Sequence, residues 1–365
     1  MGDEKRATGK EEIKIENGKP RSVLRNGFCD GLIPLKHIDL SKVNNFSDLT
    51  AAMGHTALGA RAVGEAADIL YEITADNECF NVLTLSGIMT VAKMGLIISD
   101  MIEKGMINAI VSTGALIAHG FVEGTGMAHF KYQQNMNDKK LYYAGYDRIY
   151  DTLELETNLD DAEVLIDKIL RQIGTSKPTC SRELISKFGE HLSKHPGKSI
   201  LRSAFKKGVP IYIPAFTDSE LGLDFALFNR KMLAQNKKPL SFDPFLDLEH
   251  FTGLLSKQKK LGIFTIGGGV PRNWAQQFGP YIDIIKKRHK SDEKFQRYQY
   301  GIRICPEPVH WGGLSGATYS EGVSWGKFMP ADEGGKFAEV YCDATIALPL
   351  IVKAVIERLE KDKKG

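Results

Sequence analysis

The sequence predicts an α/β fold: a doubly wound, mostly parallel sheet with helices on both faces. Three observations carry that expectation. From Asn81 onward, short apolar runs alternate with amphipathic segments of helical period, the pattern of strand-helix-strand units whose strands pair in parallel through right-handed crossovers. Four of the apolar runs end in glycine and hydroxyl residues: Ser86-Gly87, Ser112-Thr113-Gly114-Ala115, Thr217-Asp218 and Gly267-Gly268-Gly269. Glycine, at 36 of 365 residues, exceeds its usual share, which favours a sheet with many tight turns over a helical bundle.

Taken in order, residues 1–20 are charged and aperiodic, which predicts a mobile extension ahead of a single α/β domain over 21–365. Between 46 and 74, Leu49, Met53, Leu58, Val63, Ala67 and Leu70 fall at helical spacing and predict one or two scaffold helices. A strand is expected at 81–85, a helix at 91–104 and a second strand at 107–112. The Tyr-, Asn- and Asp-rich stretch 126–158 reads as an insertion or long loop. Helices follow at about 160–174 and 181–194, then a strand at 209–214, a helix at 221–235 and a strand at 261–266. A helix at 273–287, strands at 298–305 and 339–341, and a closing helix at 344–361 complete the chain.

Composition narrows the partners. A net charge of +3, spread along the chain, gives no footprint for nucleic acid or an anionic membrane. The most apolar stretch, 80–102, is interrupted by Gly87, Lys93, Gly95 and Asp100 and reads as strand-turn-helix, not a membrane span. The charged N-terminus lacks the apolar run of a signal peptide, so a cytoplasmic protein is expected. Five cysteines, Cys29, Cys79, Cys180, Cys305 and Cys342, form no close pairs; they suggest neither a disulfide framework nor a zinc site, and no metal is expected.

The candidate chemistry centres on 321–327, Glu-Gly-Val-Ser-Trp-Gly-Lys. A lysine amine adds to carbonyl or imine carbon once burial or a neighbouring cation lowers its pKa. Trp325 and Lys327 would share a face if the segment were extended. The indole attracts a cationic ligand, and Glu321 can hold an ammonium by a charge-assisted hydrogen bond. The bland alternative is an exposed lysine near a core tryptophan. The glycine and hydroxyl loops, at the carboxyl ends of expected strands, suit a nucleotide crevice. The G-x-G-x-x-G fingerprint is absent, however, and a glycine triplet alone can be a tight turn. Asp343 can accept from ribose hydroxyls or cap the helix that begins at Ala344.

The blocks Ser315-Gly-Ala, Glu321 with Val-Ser-Trp-Gly-Lys327, Val340-Tyr-Cys-Asp-Ala344, Pro214-Ala-Phe-Thr-Asp218 with Leu221-Gly222, and the glycine triplet resemble the deoxyhypusine synthases, in order from about Leu83 to the C-terminus. That resemblance implies a transferase that oxidises a polyamine such as spermidine with NAD. It would hold an aminobutyl group as an imine on Lys327 and pass it to an acceptor amine. The resemblance places NAD contacts at Ser86, Thr113, Gly267, Gly269, Ser315, Asp343 and Ala344, and amine contacts at Asp218, Asp224, Glu321 and Trp325. It further implies a homotetramer with active sites shared across a dimer interface, and in some members an N-terminal segment over the site entrance.

Departures from the family pattern bear on the substrate. Asn273 stands where the family has a histidine, Leu314 and Trp311 where it has aspartates, and His119 where it has a glutamate; the Thr217-Asp218 block carries an extra residue before Asp224. Asn273 cannot take a proton near neutral pH, whereas His119 can, which makes His119 a candidate displaced base. His310 is a weaker candidate of the same kind. A small-amine acceptor, giving a polyamine of the homospermidine type, is favoured over a translation-factor lysine. A non-catalytic NAD- or polyamine-binding protein, or an ordinary dehydrogenase, are the readings from other classes.

Overall fold

Six parallel strands carry the fold in the computed structural model, which describes residues 26–290, 292 and 294–363. The charged stretch 1–20 and any role for it at a site entrance lie outside the described residues. Two helices, α1 (Phe46–Gly54) and α2 (Leu58–Ala75), precede β1 (Cys79–Leu85), α3 (Gly95–Glu103), β2 (Ala109–Ser112) and α4 (Gly114–Gly124). Then come β3 (Phe130–Lys131), α5 (Asp138–Tyr143), β4 (Tyr146–Ile149), β5 (Thr152–Leu155), α6 (Glu156–Leu170), α7 (Ser181–Ser193) and α8 (Ile200–Lys207). The second half holds β6 (Ile211–Tyr212), α9 (Glu220–Ala234), α10 (Phe245–Leu255), β7 (Lys260–Ile266), α11 (Gly269–Gln276) and α12 (Phe278–His289). It closes with β8 (Tyr300–Ile304), α13 (Tyr319–Ser324), β9 (Lys336–Val340) and α14 (Ala344–Asp362).

The main sheet runs β6-β2-β1-β7-β8-β9, every neighbouring pair parallel. The chain starts at the centre, steps outward through β2 to β6, crosses back to β7 and steps outward the other way. Strand order therefore reverses between β1 and β7, the place in a doubly wound sheet where two loops diverge and leave a crevice. The inner strands are buried on both faces, so their apolar residues serve two cores. Leu83, Leu85, Phe264 and Ile266 point into one with α2, α3, α4 and α14, while Val82, Leu261 and Ile263 point into the other with α10, α11 and α12. That is why these strands read as continuous apolar runs and not as alternation.

The 126–158 stretch is not a long loop. It forms a three-stranded antiparallel sheet, β3-β5-β4, with α5 beside it. Its strands are short, and β4 alternates between more and less exposed residues, so the composition stays polar while the backbone pairs. Asn137 caps α5 by accepting from the Lys140 amide at 3.2 Å, and Arg148 pairs with Asp138 across that turn. Outside that stretch four helices were also unforeseen, α4, α8, α10 and α13. Ser199 caps α8 through the Arg202 amide, and Gly208 ends it in the left-handed region at φ 68°. The helix expected over 273–287 begins earlier, at Gly269, and breaks at Gln277; Pro280 lies in the first turn of α12, where its missing N–H leaves no helical bond unmade. No helix among the described residues is long and apolar enough to cross a membrane.

Candidate functional site

At the reversal, the loops after β1 and β7 are bonded to each other. The Ser86 amide donates to the Ile266 carbonyl at 3.1 Å, and the Ser86 hydroxyl accepts from the Gly268 amide at 2.8 Å. Gly267 sits at φ 78°, a conformation that a side chain would strain. Gly268 is required for close approach: a Cβ there would stand 2.5 Å from the Ser315 Cα. The Ser315 loop is thus pressed onto the start of α11.

Two buried arginines fix that loop. Arg303, fully buried on β8, donates to the Ser315 carbonyl at 2.6 Å, to Glu339 at 2.7 Å and to the Tyr341 hydroxyl at 3.1 Å. Glu339, its partner across the β8–β9 register, also accepts from the Tyr319 amide at 2.9 Å. Arg272 on α11 donates to the Ser315 carbonyl at 3.3 Å and lies 5.3 Å from the centre of the Tyr319 ring. Burial pushes its guanidinium below the ordinary value.

Lys327 follows from this frame. The 321–327 segment is not extended: Thr318 caps α13 by accepting from the Glu321 amide at 3.1 Å, Gly326 turns at φ 70°, and the Lys327 amide returns to the Gly322 carbonyl at 3.1 Å. The Thr-x-x-Glu spacing at 318–321 is the sequence signal for that helix start. Trp325 and Lys327 are brought together by the turn after α13, with the ammonium nitrogen 6.0 Å from the indole centre. The amine donates to the Asn273 side-chain oxygen at 3.1 Å. Burial lowers its pKa from the ordinary lysine value, the Arg272 charge lowers it further, and Glu321 opposes both. A lysine held this way keeps more of its neutral, nucleophilic form.

Other expected site residues fall into two groups. Ser86, Gly267, Gly269, Ser315, Asn273, Glu321, Trp325 and Lys327 meet around the reversal. Thr113 lies just before α4, and its buried hydroxyl has no hydrogen-bond partner among the described residues. Asp343 and Ala344 start α14 after β9, and one Asp343 oxygen accepts from the Thr345 amide at 2.7 Å, so the capping role is realised. The second group stands apart. Asp218 is exposed after the edge strand β6, three strand spacings from β7, or roughly 14 Å. Asp224 lines a groove between α4, α6 and α9, where burial and then Glu163 and Glu220 raise its carboxyl to about 6. His119, the candidate base, turns instead to Glu154 at 3.1 Å and to His129 at 3.4 Å. His310 and Trp311 are exposed and lie against each other. Among the described contacts none joins Asp218, Asp224 or His119 to Lys327.

Sequence reasoning passed over Arg272, Arg303 and Glu339. Their signal was present as single charges inside otherwise apolar runs, which a buried strand or helix tolerates only when they are paired.

Fold and site together define a doubly wound α/β protein with a partly desolvated lysine at the reversal of its strand order. The family model for deoxyhypusine synthase matches residues 48–355. A Methanosarcina acetivorans protein named "Probable deoxyhypusine synthase 2" is 34% identical over 91% of this chain and 92% of its own length. A "Deoxyhypusine synthase-like protein" of Chlorobaculum parvum is 34% identical over 91% of each. A solved Entamoeba histolytica structure assigned to the deoxyhypusine synthases shares the fold, with a TM-score of 0.57 at 17% identity over 88% of this chain and 97% of that one. The chain belongs to the deoxyhypusine synthase family, a family of transferases.

Proposed function

We propose that this protein is an NAD-dependent aminobutyl transferase that oxidises a polyamine such as spermidine and carries the aminobutyl group as an imine on Lys327. The observation that carries the reading is the half-buried Lys327 amine, lowered in pKa and bonded to Asn273 on the helix that leaves the glycine triplet. Lys327 attacks the imine carbon of the oxidised donor, the donor's other amine leaves, and the new lysine imine persists until an acceptor amine displaces it, after which the acceptor imine takes back the hydride the donor gave up and becomes the product amine. Trp325 offers its face to a bound ammonium, and Glu321 offers a carboxylate. Asn273 orients the lysine without competing for its proton.

The residues fit NAD at the crevice. Gly87 and Gly269 have open space where a Cβ would stand, the Thr113 hydroxyl lacks a partner, and Asp343 has a second oxygen beyond its cap. NAD, when bound, supplies a hydride acceptor for the donor's oxidation. Thr113, Ser86 and the glycine backbone would hold it, with Asp343 on a ribose. In calorimetric titration with NAD, Asp343→Ala and Gly268→Val are each expected to weaken binding about tenfold or more, the first by loss of one charge-assisted hydrogen bond and the second by driving its side chain into Ser315. Unchanged affinity in both places the nucleotide elsewhere.

The acceptor in this reading is a small amine, giving a product of the homospermidine type. A protein acceptor needs docked surface as well as a lysine slot, whereas a diamine needs one slot with a carboxylate at its far end. Leu314 lies exposed on the loop over the reversal, and Asn273 is neutral. Each missing charged contact, worth roughly 1.5–3 kcal/mol if buried, shifts preference by about tenfold or more. Asp218 lies too far along the sheet to serve Lys327 of its own chain, which supports a homotetramer whose sites draw on two chains; the exposed Trp325, Trp311 and Leu314 are the kind of surface a second chain covers. Labelled spermidine with NAD should label putrescine or agmatine and leave a purified translation factor unlabelled. Efficient labelling of the protein with no new polyamine would select the true deoxyhypusine synthase activity instead.

A further inference from the structure

His119, His129 and Glu154 form a buried cluster that the transfer chemistry does not use. His119 comes from the middle of α4, His129 from the loop after it, and Glu154 from β5 of the small sheet. One Glu154 oxygen lies 3.1 Å from His119 Nδ1 and 2.6 Å from His129 Nε2, and the two nitrogens are 3.4 Å apart. We propose that these three side chains are the protein ligands of a divalent first-row transition-metal site, Zn²⁺ in preference, that clips the small sheet onto α4.

The donor set and spacing carry the proposal. Two imidazoles and a carboxylate are borderline ligands of the kind Zn²⁺ takes, and Zn–N or Zn–O bonds of about 2.0–2.1 Å in a tetrahedron put ligand atoms roughly 3.3 Å apart. The His119–His129 and His119–Glu154 separations are already there. The His129–Glu154 contact is at hydrogen-bond length and must open by roughly 0.7 Å as the ion replaces the shared proton. All three ligand atoms lie within 4.8 Å of one another.

The surrounding contacts pre-orient the ligands. The other Glu154 oxygen is held by the Asn158 amide group at 2.7 Å and the Leu155 backbone amide at 3.0 Å, which leaves the inner oxygen aimed at the two rings. Asn158 also donates to the Ala128 carbonyl at 3.1 Å, fixing the residue beside His129. With the metal on Nε2 the His129 proton moves to Nδ1, on the side where the Glu123 carboxylate lies 3.7 Å away. Without the ion the Lys93 ammonium donates to that same nitrogen at 3.0 Å, so metal binding requires Lys93 to turn wholly onto Glu123, its ion-pair partner. Three protein ligands leave a fourth position. A cavity of about 450 Å³, lined among others by Lys93, Gly120, Glu123, Met127 and Ala128, reaches His129 of the cluster and offers water a path toward it. Because the ligands lie on three separate segments, the ion would tie the small sheet down, and its binding energy would appear as stability.

The full-length protein, stripped with EDTA and dialysed, is titrated with Co²⁺ and then Zn²⁺. One equivalent of Co²⁺ per chain, with the intense visible bands of a four-coordinate ion that Zn²⁺ bleaches, is expected, together with a rise in melting temperature. His129→Ala and Glu154→Gln should lose the bands, and Lys327→Ala should keep them. If those variants fold poorly, Asn158→Ala serves instead, with affinity expected to fall about 10–100-fold. No binding by the wild-type chain, or equal binding by the ligand variants, overturns the site and leaves the cluster a hydrogen-bonded triad.

Discussion

Lys327→Ala is expected to reduce aminobutyl transfer by on the order of a thousandfold or more, since it removes the atom that carries the group. Borohydride, which traps a lysine imine irreversibly, should label the wild-type chain in the presence of NAD and spermidine and leave the variant unlabelled. NAD affinity should be nearly unchanged, because the amine bonds to Asn273 and not to the glycine turn. Lys327→Arg should fail as completely, since a guanidinium stays protonated and does not attack carbon. The lowered pKa gives a further check. Trapping needs the neutral amine, so its rate should rise with pH and level off below the range of an ordinary lysine near 10.5. Asn273→Asp, which puts a negative charge beside the amine, should move that rise to higher pH. Product formation by Lys327→Ala at the wild-type rate would end the carrier assignment.

Glu339→Ala should be the most damaging single change to stability near the site. It leaves the fully buried Arg303 guanidinium facing only carbonyls and a tyrosine hydroxyl, and removing one partner of a buried ion pair costs about 3–5 kcal/mol. The Tyr319 amide loses its acceptor in the same step, so the 313–319 loop should loosen over the glycine triplet. A fall in melting temperature of on the order of 5–10 °C is expected, with amide exchange rising first in that loop. The double variant Arg303→Met with Glu339→Leu should recover much of the loss, because no charge is then left unpaired in the core. A double variant as unstable as the sum of its singles would mean that the pair acts through packing and not through charge.

The central units of the sheet were legible because each is a short apolar run bounded by glycine or hydroxyl residues, and burial on both faces makes that run continuous. The small sheet was not legible. Its strands at 130–131, 146–149 and 152–155 are too short and too polar to outweigh a composition that reads as loop. The extended reading of 321–327 failed for a different reason. The alternation of Trp325 and Lys327 was weighed, but the Thr318 cap three residues before Glu321 was not. His119 was assigned a chemical role by its position in the resemblance, while its partners His129 and Glu154 are 10 and 35 residues away in sequence and only the fold shows them together.

By itself the sequence determined the doubly wound class, the family, the lysine with its neighbouring indole, and the glycine triplet, since each rests on local spacing or on ordered blocks of residues. Tertiary structure alone decided which of the named residues share a site. The reversal between β1 and β7 sets Ser86 against Gly268, although 182 positions separate them. The same strand order puts Asp218 at the far edge of the sheet. Burial of Lys327 beside Arg272 and Asn273 sets its protonation, a property of packing that no single stretch of the chain encodes. Only the crossing of α4, its following loop and β5 brings two imidazoles and a carboxylate within reach of one ion, because side chains distant in sequence become ligands of a common centre when the backbone between them folds back.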